Sequence, residues 1–184
     1  MRKGFVVGLV LLASGMLIAR GDIIPTLSSV TGSSPDFHWN YAANITVDET
    51  VTHGDFFTIY DFSSIKPTTT MQPVGWTFST ALVGPTAPLT TPTDNPSRWN
   101  LTWTYTGSTP IPGQAALGIF SAVTGIDQLK AGQFTAQATL SSGLSKVSNI
   151  GAVSVPVPES AALFPIIGIC ALAAFSTLLR RQRA

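Results

Sequence analysis

Phe37, Trp39, Tyr41, Ala43, Ile45 and Val47 fall at every second position of one stretch, with His38, Asn40, Ala42, Asn44 and Thr46 between them. A β-strand sends successive side chains to opposite faces, so this spacing gives one apolar face and one mostly polar face. Leu101, Trp103 and Tyr105 repeat the pattern against Asn100, Thr102, Thr104 and Thr106, and Phe134, Ala136, Ala138 and Leu140 repeat it against Thr135, Gln137 and Thr139. Residues 55–62, 75–82, 116–122 and 146–155 are further strand candidates. They are rich in Thr, Phe, Trp and Val and are separated by Gly, Pro, Asn and Ser. No segment of 22–155 carries a 3.6-residue apolar stripe of useful length. About seven strands in this length predict an all-β domain, an antiparallel β-sandwich of immunoglobulin-like or jelly-roll-like topology. Trp39, Trp76, Trp99 and Trp103 all alternate onto the inner face and are expected in the core. Residues 64–73 and the proline-rich stretch 84–96 read as long loops.

The charges set limits on partners. Between Asp22 and Val155 four bases (Lys66, Arg98, Lys130, Lys146) stand against eight acids, a formal −4, although the whole chain is +1. Such a surface repels phosphate backbones, so nucleic acid is not an expected partner. The one cysteine, Cys170, lies in a C-terminal apolar run. The middle region therefore forms no disulfide and holds no thiolate-bound metal.

Both ends carry targeting features. In residues 1–21, Arg2 and Lys3 precede an apolar run from Gly4 to Ala19, and Ala19 and Gly21 place small residues where signal peptidase needs them. The mature chain would begin at Asp22. Residues 161–179 contain no charge, and a helix of that length would span about 28 Å, close to the bilayer's hydrocarbon thickness. Arg180, Arg181 and Arg183 follow, and the positive-inside rule keeps them cytoplasmic while the middle domain lies outside.

Val157-Pro158-Glu159-Ser160, the single apolar span and the tail 180–184 resemble the PEP-CTERM sorting signal of exported bacterial proteins. Ser160 stands where that family's second proline is expected. The resemblance covers residues 156–184. It implies recognition by an exosortase, a membrane-embedded cysteine transpeptidase, with Pro158, Glu159 and Ser160 as the positions read. Pro156 and Pro158 keep the approach extended, since residues before proline avoid the helical region. The expected organisation is a signal peptide (1–21), a β-sandwich (22–155) and a sorting segment (156–184).

No nucleophile elbow, histidine pair with zinc spacing or glycine-rich phosphate loop is present. His38 falls on a polar strand face and His53 in a turn. Neither cofactor nor metal is expected; if calcium were held by turn carboxylates, Asp48, Glu49 and Asp55 are the closest together. The sequence predicts a non-enzymatic protein of the cell envelope or outer surface, anchored by its C-terminal helix before processing. By the resemblance, such proteins accompany extracellular polysaccharide, which implies a structural or adhesive matrix role. A carbohydrate-binding module is the alternative, and exposed tryptophans would favour it. A matrix hydrolase would need two carboxylates about 5–9 Å apart in one pocket.

Overall fold

The computed structural model describes residues 22–143 and 145–157, with the side chains of all but 67–69. Eleven strands follow one another: β1 (Ile23–Ser33), β2 (Asp36–Ile45), β3 (Glu49–Val51), β4 (Phe56–Phe62), β5 (Ile65–Met71), β6 (Trp76–Ala81), β7 (Trp99–Tyr105), β8 (Ile111–Pro112), β9 (Ala116–Thr124), β10 (Leu129–Leu140) and β11 (Lys146–Pro156). There is no helix among the described residues. The smaller sheet has the order β1-β2-β9-β5. The larger runs β6-β7-β4-β10-β3-β8, with β11 on the other side of β10. All pairings are antiparallel. β3 and β4 both pair with β10, β4 at residues 134–137 and β3 at 139–140, so they lie end to end along it.

The two sheets face each other across an aromatic core. Trp39, Tyr41, Ala43 and Ile45 from β2 meet Phe57, Ile59 and Phe62 from β4, with Leu101, Trp103 and Tyr105 from β7 and Phe134, Ala136 and Ala138 from β10. Phe120 of β9 projects from the smaller sheet into three rings of the larger one. It stands edge-on to Phe57 at 5.0 Å, to Trp76 at 5.0 Å and to Trp103 at 5.8 Å. This geometry sets the positive ring edge against the negative face, and each such pair adds about 0.5–1.5 kcal/mol beyond area burial. Trp39 and Phe62 make a second bridge between the sheets, at 6.1 Å.

Several expectations change. Residues 64–73 are not simply a loop, because Ile65–Met71 forms edge strand β5. Its pairing with β9 is irregular between Lys66 and Met71, and an edge is where a sheet tolerates proline. β1 was hidden in the sequence by Pro25 and by the register shift between Leu27 and Ser29. Trp99 is 39% exposed rather than buried, because it sits at the first position of β7, beyond the irregularity between Ile59 and Phe62. Val47 is exposed because β2 ends at Ile45. There the chain turns around Gly113, where a Cβ would lie 2.3 Å from the Thr46 carbonyl oxygen and 2.7 Å from that of Glu49.

Two core tryptophans differ in one respect. Trp39 Nε1 donates to the Ile126 carbonyl at 2.9 Å, whereas the buried Trp103 Nε1 has no partner. Trp39→Phe orphans an acceptor, while Trp103→Phe removes an unpaired donor. Trp39→Phe is expected to cost about 1–2 kcal/mol more than Trp103→Phe in urea unfolding. Equal losses would remove this hydrogen bond from the account.

Candidate functional site

The line of strand beside β10 breaks at Thr52–Asp55, between β3 and β4, and Asp55 fills the break. Gly54 turns the chain there with φ +88°, a conformation that favours glycine. The Gly54 N–H donates to the Tyr105 carbonyl at 2.8 Å, and the Tyr105 N–H donates to the Asp55 carbonyl at 2.7 Å. The Asp55 carboxylate is fully buried. Its Oδ2 accepts from the Thr52 N–H at 2.7 Å and from the Thr52 and Thr139 hydroxyls at 3.0 Å. Its Oδ1 accepts from the Lys146 ammonium at 2.6 Å. The Lys146 ammonium also donates to the hydroxyls of Thr52 at 3.0 Å and Thr139 at 2.7 Å. A buried carboxylate is stable when it is paired and hydrogen-bonded in this way.

Two more buried carboxylates lie at this end. Glu49, on β3, accepts the Thr46 hydroxyl at Oε2. Asp22, immediately before β1, is fully buried. Its Oδ1 accepts the Ile23 N–H at 2.8 Å, and its Oδ2 has no hydrogen-bond partner. Burial pushes the Asp22 carboxyl up to about 7; the Ile23 amide and, more weakly, the Ala138 amide oppose that, and the charges of Glu49 and Asp55 add to it. No spacing or motif marks Asp22 as buried; its one distinction in the sequence is its place directly after the expected cut.

The three calcium candidates are not brought together as ligands. Asp48 is exposed in a turn, Glu49 is buried against Thr46, and Asp55 is bound to Lys146. No group of three His, Cys, Asp or Glu side chains among the described residues is placed to hold a metal. His38 and His53 are both exposed. Trp39, Trp76 and Trp103 are in the core. Val157 is described, and its N–H donates to the Gln128 carbonyl at 3.1 Å. Pro158, Glu159, Ser160, Arg180, Arg181 and Arg183, and Ala19 and Gly21 at the expected cut, lie outside the described residues, as does the apolar span 161–179. Among the described residues no helix is long and apolar enough to cross a membrane.

The outer faces are rich in hydroxyls and amides. On the smaller sheet, Asn40 donates to the Ser29 hydroxyl at 3.1 Å and accepts the Ser121 hydroxyl at 2.6 Å. On the larger sheet the proline-rich stretch is a cover. Thr58 and Tyr60 hydroxyls donate to the Pro85 carbonyl at 2.9 and 3.0 Å, and Ala87 is buried. Burial pushes the Tyr60 hydroxyl above its usual range, while its bonds to Thr135 and Thr86 oppose this. Asp94 anchors the far end of the stretch by accepting from Asn100 at 2.9 Å. Beside the Asp55 break, a shallow depression of about 410 Å³ is lined by Thr50, Thr52, Thr139, Ser141 and Ser142 with Pro110. It offers hydroxyls and no carboxylate.

Compared with known protein families, curated proteins and solved structures, the chain matches none.

Asp22 sets a pH dependence. Its folded value of about 7 lies above the ordinary 3.8, so between these limits the folded state holds more protons than the unfolded state. Stability therefore falls as pH rises through that window, by at most about 4 kcal/mol. In a chain that still carries residues before Asp22, melting midpoints are expected to fall from pH 4 to 7, and Asp22→Asn flattens the fall. An equally steep fall in the variant would contradict the assignment.

Proposed function

We propose that this chain is an exported, envelope- or surface-located β-sandwich with a structural or adhesive role in an extracellular polysaccharide matrix, sorted by its PEP-CTERM-like C-terminal segment. The observation that carries the reading is the course of the last strand. β11 pairs with β10 up to Pro156, and the Val157 N–H extends the bonding to Gln128. The folded domain therefore reaches the first residue of the Val157-Pro158-Glu159-Ser160 stretch. We take a motif that begins where a paired edge strand ends as accessible to a membrane-bound processing enzyme, which needs an extended peptide.

The surface chemistry supports a matrix role. The outer faces present Thr, Ser and Asn groups with few charges, and these hydrogen-bond readily to polyhydroxylated chains. Sugar stacking is the weaker reading, because three of the four tryptophans lie in the core and Trp99 is half-exposed at a strand end. The hydroxyl-lined depression lacks the carboxylate pair a glycosidase uses.

Fractionation of the native cell tests this. The full chain is expected with the envelope and matrix, and its purified exported form is expected to sediment with matrix polysaccharide without shortening it. Replacing Arg180, Arg181 and Arg183 with glutamine is expected to impair membrane retention or processing. Unchanged fractionation of that variant would defeat the sorting assignment, and cleavage of the polysaccharide would defeat the non-enzymatic one.

A further inference from the structure

The end of the sandwich around β3 holds more buried negative charge than its neighbours neutralise. Asp22, Glu49 and Asp55 are all buried. Lys146 is committed to Asp55 at 2.6 Å. Glu49 receives a neutral hydroxyl from Thr46. Asp22 has the Ile23 amide on Oδ1 and the Ala138 amide nearby, and its buried Oδ2 is unpartnered. A buried carboxylate oxygen without a donor is costly. The described residues place no three carboxylates close enough to share a metal ion. A compact cation that donates hydrogen bonds and serves one carboxylate at a time fits better.

The chain can supply such a group itself. Cutting the Gly21–Asp22 bond consumes one water and leaves a carboxylate on Gly21, which departs with the signal segment, and an ammonium on Asp22. That ammonium has three donors and is charged below about pH 8. It is attached to the same Cα as the Asp22 side chain, so it cannot lie far from the unpartnered oxygen. Ile23 pairs with Ile45 as the first rung of β1, which holds the new terminus in place.

We propose that the Asp22 carboxylate, whose buried Oδ2 is unpartnered, is the receptor for the chain's own α-ammonium, so that signal cleavage completes the fold. The inference rests on reading residues 1–21 as a cleaved signal. It adds a structural role for the cut: the precursor keeps an unneutralised buried carboxylate, and the mature chain does not. Asp22, Glu49, Asp55 and Lys146 are the charged groups involved, contributed by the start of β1, by β3, by the β3–β4 break and by β11.

The test compares the exported full chain with one carrying Gly-Ser inserted between Gly21 and Asp22, which moves the ammonium away by about 7 Å of chain. Intact-mass measurement comes first. A parent chain that does not begin at Asp22 overturns the signal reading, and the proposal with it. With the cut confirmed, the insertion is expected to lower the melting midpoint at pH 7 by about 3–5 °C. It is also expected to restore a fall in stability between pH 4 and 7 that the parent lacks. Both effects should disappear in an Asp22→Asn background. Equal midpoints, or the same penalty in that background, overturn the proposal while leaving the signal reading intact. Acetylation of the α-amine at pH 7 gives a readout independent of folding energy. The parent is expected to react at least tenfold more slowly than the insertion chain, and equal rates overturn the proposal. A rise in the parent's midpoint on adding millimolar calcium also overturns it, because the site would then be a metal site.

Discussion

Phe120 is the side chain through which the smaller sheet meets the most rings of the larger, with Trp39 against Phe62 as the second bridge. The Phe120 ring enters a socket made by Phe57, Trp76 and Trp103, three rings from three neighbouring strands, and meets each of them edge-on. Phe57 and Trp103 are themselves stacked at 5.2 Å, so the floor of the socket is rigid. Sheets in a sandwich share no backbone hydrogen bonds, and what fixes their separation and relative rotation is how inner side chains interdigitate. With no cysteine in the described domain, that fit takes the place a disulfide holds in many β-sandwich domains.

Polar structure is arranged around this core in two ways. At one end, the Thr52–Asp55 break is closed by the buried Asp55 carboxylate, which accepts the Thr52 N–H and is tied to Lys146 and Thr139, and by the Tyr105 backbone, which pairs with the Gly54 N–H and the Asp55 carbonyl. Over the larger sheet, the stretch from Pro85 to Asp94 covers threonines and Tyr60 that point away from the core. The cover turns at Pro88–Leu89, and the Pro85 carbonyl before the turn accepts the hydroxyls beneath. The remaining surface is rich in hydroxyl and amide groups.

Much of the inner layer was legible because strict alternation survives wherever a strand is long and paired on both sides. Trp39, Tyr41, Ala43 and Ile45 are buried as their spacing indicated, as are Leu101, Trp103, Tyr105, Phe134, Ala136 and Ala138. Legibility failed where the chain is irregular. β1 carries a proline and a bulge, β5 is an irregular edge, and β3 and β8 are too short to show a period. Trp99 obeys the alternation and is still exposed, because position within the sheet decides burial and periodicity does not report it. The acidic end was illegible for a different reason. Glu49 and Asp55 are near each other in sequence but take different partners, and no alternation marks the distant Asp22 as buried.

Amide hydrogen exchange on the full chain tests the aromatic clasp most directly. If the Phe120 socket holds the sheets together, the slowest amides will be those of Phe57, Ile59, Leu101, Trp103 and Phe120, exchanging only through global unfolding. Phe120→Ala would then speed all of them together. Fast exchange at these positions beside slow exchange along the β10–β11 pair, with Phe120→Ala changing neither, would show that the sheets are held elsewhere and contradict the account.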